Sequence, residues 1–465
     1  MFEVFSLFQE KKKTNKKTKH SSSNNIIMHR FEKPKCNRER INNFYTSLKP
    51  MLYALRYVGL APFSFRTVKQ EDGNETTTFE ITWTTSLYSI SFTLVLCIST
   101  IISLIGRFRY TYLTMPDQAM VPDFLVWCTL SICACSSLLL GFVFRKRMAR
   151  VLDTISQIDQ SLLMNLTYTY SNTFLIVTTI LVIVLCLVTT LVSLFFLWTV
   201  EVSGIESMVL VLPGYINYFV NNLMVLMFVC LVTLIWHRYR ILNSHLTNKY
   251  ISSSMLQTLN MSCNTSNSER HHSVVKTNSK DHTSFCQGKG YMWRPLVTEQ
   301  HCNVYNIRKL REFHDSLHDV ASDINVIYGF QILVDIAHTF IDITITLYIS
   351  TVCAKEDAQG GSTIAYHGAI VNASWMLLFF LKLTGITLSC HLASNEANGT
   401  ANILQKKLLT EELRPGTERE IQSFLQQVTT NKLYFSACGF FHINLSTVCA
   451  MISSVATYLV ILLQS

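Results

Sequence analysis

Residues 121–150 read VPDFLVWCTLSICACSSLLLGFVFRKRMAR, an apolar run that carries only Asp123 and then ends in Arg145, Lys146, Arg147 and Arg150. About 20 apolar residues in a helix cross a hydrocarbon core of roughly 30 Å, and 121–144 is long enough. A basic cluster directly beside such a run marks the side of the membrane on which it ends. The whole chain agrees with this reading. Its 465 residues are 49% hydrophobic and 15% charged, with a mean hydropathy of +0.27, too apolar for an ordinary soluble protein. Sixteen Gly and eight Pro exclude collagen-like and proline-rich classes. The +9 charge would suggest nucleic acid in a soluble chain; here it is expected to orient spans, with no nucleic-acid partner.

Six further segments reach spanning length: about 83–105, 173–199, 207–236, 326–350, 366–389 and 443–464. The expected fold is an all-α membrane protein of seven transmembrane helices. Lipid offers no partners for open backbone, so each span is expected to be helical. With the N-terminus inside, 35 of the 39 Lys and Arg fall in inner segments and 3 in outer loops; Lys382 lies within span 6. This predicts a cytoplasmic N-terminus and an extracellular C-terminus. A G-protein-coupled chemoreceptor has the opposite orientation and a cytoplasmic tail, whereas here span 7 ends at the last residues. That class and a polytopic transporter remain alternatives at this point.

The expected organisation is a basic cytoplasmic tail (1–50), an interfacial or re-entrant segment and linker (51–82) and spans 1–4 (83–236). A cytoplasmic loop with a polar insertion (237–325), spans 5–6 (326–389), cytoplasmic anchor helices (390–441) and a final helix (442–465) follow. The stretch 51–65, interrupted by Arg56 and Pro62, is too short to span. Residues 417–441 read as one polar-to-amphipathic helix feeding span 7. No signal peptide is expected from the Lys-rich, h-region-free start. The sequons at Asn74 and Asn165 fall on the inner side, and His271 and His272 lack ligand partners at metal spacing. Cys133 and Cys135 read as packing residues. No catalytic residue, metal or cofactor is expected.

Polar groups inside a bilayer need partners or water. Span 5 carries Asp335, His338 and Asp342 at offsets 0, 3 and 7, on one helical face, and Lys382 of span 6 lies at the depth of Asp335. An Asp335–Lys382 intramembrane pair is therefore expected. The outer halves hold a second set: Tyr215, Asn217, Tyr218, Asn221 and Asn222 in span 4, Asp342 and Thr346 in span 5, Tyr366, His367, Asn372 and Trp375 in span 6, and Trp198 ending span 3. Aromatic faces mixed with amide, hydroxyl and carboxylate groups suit a small polar organic ligand. The candidate pocket is Asn372, Trp375, Asp342, Thr346, Tyr218 and Asn222.

The last 35 residues read NKLYFSACGFFHINLSTVCAMISSVATYLVILLQS. Their ending, Thr457-Tyr458, five hydrophobic residues, then Gln464, resembles the signature of the insect gustatory receptor family. Phe435–Phe441, His442-Ile443-Asn444, LRYVGLAPFSF near the N-terminus and FHDSLHDVASDIN (313–325) are also similar to that family. The resemblance implies a tetrameric, tastant-gated, non-selective cation channel in the plasma membrane of chemosensory neuron dendrites. Its central pore is lined by helix 7 of each subunit, homomeric or shared with other gustatory receptor subunits. It implies a constriction at Leu459–Leu463, a ring of Gln464, and Thr457 and Tyr458 fixing the helix against its neighbours. Asn372 and Trp375 match the family's ligand-contacting positions by spacing from Cys390-His391. Ser465 stands where the family carries Phe, so the outer gate is expected to leak, to rest on Leu463, to need a partner subunit, or to reflect a mis-predicted last exon. Leu459 stands where sugar-responsive members look acidic; bitter compounds, a fructose-like polyol and nucleosides stay open.

Overall fold

A computed structural model describes residue 48 and residues 51–69, 75–111, 117–162, 205–267, 294–360 and 363–464, with five isolated positions between 180 and 191. Its helices are α1 (Trp83–Gly106), α2 (Asp117–Val143), α3 (Arg145–Leu162), α4 (Ile205–Asn267), α5 (Arg294–Gly360), α6 (Thr363–Thr410), α7 (Pro415–Thr430) and α8 (Leu445–Gln464). Among the described residues, five helices are long and apolar enough to cross a membrane, and α8 is a shorter apolar helix. Six of the seven expected spans thus coincide with α1, α2, α4, α5, α6 and α8. Span 3, with Trp198, lies outside the described residues apart from helical positions between 180 and 191.

The three longest helices outrun any bilayer. At 1.5 Å per residue the 63 residues of α4 measure about 95 Å, against roughly 30 Å of hydrocarbon. The polar ends of α4, α5 and α6 gather at one end of the molecule, where α7 packs against α5 and α6. Buried Leu242, Leu317, Ala397, Leu404, Phe424 and Val428 give this polar end its own apolar core. His314 sits in it, well before the apolar part of α5, edge-on to Tyr239 at 5.1 Å and Phe424 at 5.5 Å. Burial pushes its pKa down to about 4, opposed by the Ala397 carbonyl. The folded value lies below the unfolded one, so this contribution is complete above about pH 6.5 and is lost as pH falls toward 4.

α3 is amphipathic, burying Val151, Leu152, Ile155 and Ile158 at helical spacing. Two ion pairs lock it: Arg147 Nε to Asp323 Oδ1 of α5 at 2.8 Å, and a fork from Arg238 of α4 to both Asp159 oxygens at 2.8 and 2.5 Å. The Arg238 side chain is 2% exposed, so its charge depends on Asp159.

Three local features lie outside the expected helical spans. Residues 51–57 are helical and bury Met51, Leu52 and Leu55, so this segment is folded into the core. An antiparallel hairpin, β1 (Ser64–Lys69) with β2 (Glu75–Glu80), follows it. The β-branched and aromatic residues of ETTTFE favour a strand. Residues 417–441 do not form one helix. α7 stops at Thr430, and the chain turns through β3 (Ser436–Ala437) and β4 (Phe441–His442) before α8. Cys438 (φ 52°) and Gly439 (φ 80°) make a left-handed turn that no helix accommodates. Two asparagines hold the linker: Asn398 of α6 accepts from Leu433 N at 2.9 Å and donates to its carbonyl at 3.0 Å, and Asn325 of α5 accepts from Ser436 N at 2.9 Å. Asn74, Asn165, His271 and His272 lie outside the described residues.

Two measurements check this packing. Asp159→Ala strands Arg238 and is expected to cost about 3–5 kcal/mol, read as a fall in melting temperature in detergent, whereas Asp159→Leu with Arg238→Met recovers most of it. Melting temperature also falls between pH 7 and pH 5 in the wild type, and His314→Gln flattens that slope.

Candidate functional site

The site is built where α4, α5 and α6 meet inside their apolar stretches. On α5 the offsets of Asp335, His338 and Asp342 place all three on the interior face, at 0%, 1% and 2% exposure. Val326, Phe330 and Ile349 occupy the outward face and remain exposed. An interior carboxylate in this setting requires compensation.

The structure brings Asp335 and Lys382 together. Lys382 Nζ lies 2.9 Å from Asp335 Oδ1, which also accepts a hydrogen bond from Asn221 Nδ2 at 2.6 Å. One carboxylate oxygen thus joins α4, α5 and α6. Asp335 Oδ2 has no hydrogen-bond donor among the described residues. The Lys382 ammonium also stands 5.8 Å from the Phe379 ring centroid. Nearby, Asn217 donates to Thr100 Oγ1 of α1 at 3.2 Å.

A second cluster lies toward the end opposite α7. Tyr218 donates its hydroxyl to Asp342 Oδ2 at 2.9 Å, and His338 Nε2 stands 3.1 Å from the same oxygen. The other His338 nitrogen, Nδ1, is 3.1 Å from Thr129 Oγ1, which ties α2 into the group. The Tyr218 ring lies 4.7 Å from Trp375, which in turn stands 6.3 Å from Tyr215 and 6.1 Å from Phe379. Asp342 Oδ1 has no donor among the described residues. The arrangement therefore offers stacking faces beside a carboxylate oxygen with free acceptor capacity, suited to a hydroxyl or amine donor.

Of the expected pocket residues, Tyr218, Asp342 and Trp375 converge. Asn372 stands apart from them, donating to Ser350 Oγ at 3.3 Å, and Ser350 in turn donates to the Thr346 carbonyl at 2.7 Å. Asn222 is buried but makes none of these hydrogen bonds. The side chains of Tyr366 and His367, and Trp198 altogether, lie outside the described residues. Sequence reasoning missed Phe379 and Thr129, and it read Asn221 as an outer polar group without its bond to Asp335. The i, i+4 spacing of Trp375 and Phe379 was an available signal; nothing local points to Thr129.

At the C-terminus, Tyr458 meets Phe340 of α5 edge-on at 5.7 Å. Thr457 instead faces outward, bonded to its own helix through Ser453 O at 2.9 Å. Gln464 is exposed at the end of α8; the Leu463 side chain and Ser465 lie outside the described residues. No three His, Cys, Asp or Glu side chains converge on a possible metal among the described residues.

The profile of the 7tm chemosensory receptor family matches residues 48–465. The chain is 27% identical over 149 residues to Gustatory receptor 68a of Drosophila melanogaster, covering 31% of this chain and 36% of that one. It is 26% identical over 161 residues to Gustatory receptor for sugar taste 43a of the same organism, covering 34% and 35%. The aligned stretch therefore spans little more than a third of either relative. In fold it resembles the insect olfactory receptor OR5 from Machilis hrabei, with a TM-score of 0.56 at 12% identity, covering 91% of this chain and 99% of that one.

Deleting either charge of the buried pair tests the site. Asp335→Asn and Lys382→Met each leave an uncompensated buried group and are expected to cost about 3–5 kcal/mol, seen as loss of surface expression. The exchange Asp335→Lys with Lys382→Asp recovers part of that loss. Singles that traffic like wild type contradict the pairing.

Proposed function

The chain belongs to the 7tm chemosensory receptor family, and from that premise we propose that it is a gustatory receptor: a tastant-gated, non-selective cation channel of four subunits. The observation that carries this reading is the uncovered face of α8. Within the subunit, α8 buries only Met451 and Val455 among its described side chains. Ser446, Cys449, Ser453, Thr457 and Gln464 recur along an exposed stripe at intervals of three, four, four and seven residues. In a lone subunit this stripe of hydroxyl, thiol and amide groups would face hydrocarbon, at a cost. Around an axis shared by several copies it faces water and offers uncharged dipoles to hydrated cations.

In this reading the polar end is cytoplasmic, as the Lys and Arg bias expects, and the C-terminus is extracellular. Thr457 lines the pore, while Tyr458 holds α8 against α5. Leu463 and Gln464 keep the outer constriction, with homotetramers and mixed tetramers of gustatory subunits both compatible with it. Tyr218, Asp342 and Trp375 form the centre of the ligand pocket, with Asn372 and Thr346 at its rim and Asn222 behind it. The receptor acts in the plasma membrane of sensory dendrites.

The test is electrical. Cells expressing the chain, alone and with other gustatory subunits, are screened with bitter compounds, fructose and nucleosides. Responses are expected as cation currents reversing near zero voltage. Thr457→Lys, a ring of positive charge in the pore, is expected to abolish current at unchanged surface expression. Asp342→Asn shifts the ligand response at least tenfold while leaving ion selectivity intact. A G-protein-dependent response without current overturns the channel reading.

A further inference from the structure

The stretch 51–65, expected to be interfacial or re-entrant, has a specific shape in the structure. The chain reverses at Gly59 (φ 78°) and runs back toward the start of α1. Three α1 hydroxyls fasten the reversal through its carbonyls: Tyr88 to Tyr57 O at 2.6 Å, Ser89 to Gly59 O at 2.6 Å, and Thr85 to Pro62 O at 3.2 Å. These bonds hold open a niche of about 440 Å³ between the reversal and α1. That volume lies within the roughly 300–1,000 Å³ typical of small-molecule sites.

The niche has one charged wall. Arg56 lines it beside Tyr53, Tyr57, Tyr88 and Thr84. Arg56 is half-buried, and its guanidinium forms no ion pair or hydrogen bond with any described residue. A guanidinium with five donors, set among tyrosines and a threonine, matches the oxygens of a phosphate. The surroundings indicate where such a phosphate comes from. Trp83 is 89% exposed and Tyr57 75%, as aromatic side chains are at the headgroup level of a bilayer. From Leu87 and Tyr88, exposed apolar side chains recur every seven residues along α1, at Leu94 and Val95 and again at Ile101 and Ile102. A continuous apolar track thus leaves the niche and runs into the hydrocarbon layer.

We propose that the niche is a binding site for an anionic membrane phospholipid. Arg56 takes the phosphate, the hydroxyls of Tyr57 and Thr84 engage its remaining oxygens, and an acyl chain lies along the exposed stripe of α1. A single cation selects anionic over zwitterionic headgroups, because a headgroup ammonium would be held beside the guanidinium. The inference is independent of channel activity and of any tastant.

The test uses the purified full chain, delipidated in a non-ionic detergent, with phosphatidylglycerol or phosphatidylcholine of identical acyl chains added and bound lipid counted by native mass spectrometry. One phosphatidylglycerol per chain is expected to persist, with about tenfold preference over phosphatidylcholine. Arg56→Gln is expected to remove that preference, and Arg56→Lys to keep much of it at an unchanged melting temperature. If Arg56→Gln fails to fold, the preference in wild type and in Arg56→Lys decides. Equal retention of both lipids by wild type, or an undiminished preference in folded Arg56→Gln, overturns the proposal. Displacement of the lipid by millimolar inorganic phosphate or glycerol phosphate overturns the lipid assignment and makes the niche a site for soluble phosphate.

Discussion

Asp335 imposes the constraint on which the bundle depends. A carboxylate at 0% exposure inside an apolar helix is tolerable only with an opposite charge and hydrogen-bond donors in place. Lys382 and Asn221 supply them from two other helices through the same oxygen. The requirement fixes the rotation of α5, because offsets of three and seven residues then turn His338 and Asp342 inward as well. It also fixes the neighbours, since α4 and α6 must present Asn221 and Lys382 at one depth. The aromatic cluster of Tyr218, Trp375 and Phe379 is assembled one or two turns beyond this knot by helices already in register.

Two of the helices joined at Asp335, α5 and α6, also hold the linker into α8. Asn325 of α5 and Asn398 of α6 grip the backbone at Ser436 and Leu433, and Gly329 lets the turn come close: a Cβ there would stand 3.2 Å from Cys438 N. A relative shift of α5 and α6 at their outer cluster therefore reaches the base of α8 through hydrogen-bonded contacts. This continuity gives a ligand a mechanical route to the proposed pore helix, provided it binds the two helix arrangements with different affinity. Tyr458 against Phe340 adds a second contact along the same path.

Much of this was legible in the sequence because the bilayer imposes simple local rules. Length and hydropathy mark α1, α2, α4, α5, α6 and α8, and helical offsets place Asp335, His338 and Asp342 on one face. Depth counting set Asp335 opposite Lys382, where the ammonium stands 2.9 Å away. The features that escaped depend on partners distant in the chain. The Arg238–Asp159 fork joins residues 79 apart, and the Asn325 and Asn398 clamps act on backbone more than 30 residues away. The amphipathic look of 417–441 hid the hairpin, because periodicity alone does not report that a left-handed turn at Cys438 and Gly439 finds better partners on α5 and α6. The pocket residues were only partly separable, since Asn372, Asn222 and Thr346 are polar and each lies about one helical turn from a converging residue, but they lack its contacts.

The central claim is that the polar stripe of α8 faces water although α8 is an apolar helix in a membrane. Single cysteines at Ser453 and Thr457, in a background lacking the exposed Cys438 and Cys449, can be exposed in intact membranes to a water-soluble maleimide, beside lipid-facing controls at Leu94 and Val95 of α1. The account predicts labelling at both α8 positions and none at the α1 positions, although all four are exposed in the single subunit. Equal protection of all four positions would place the stripe in lipid and contradict it.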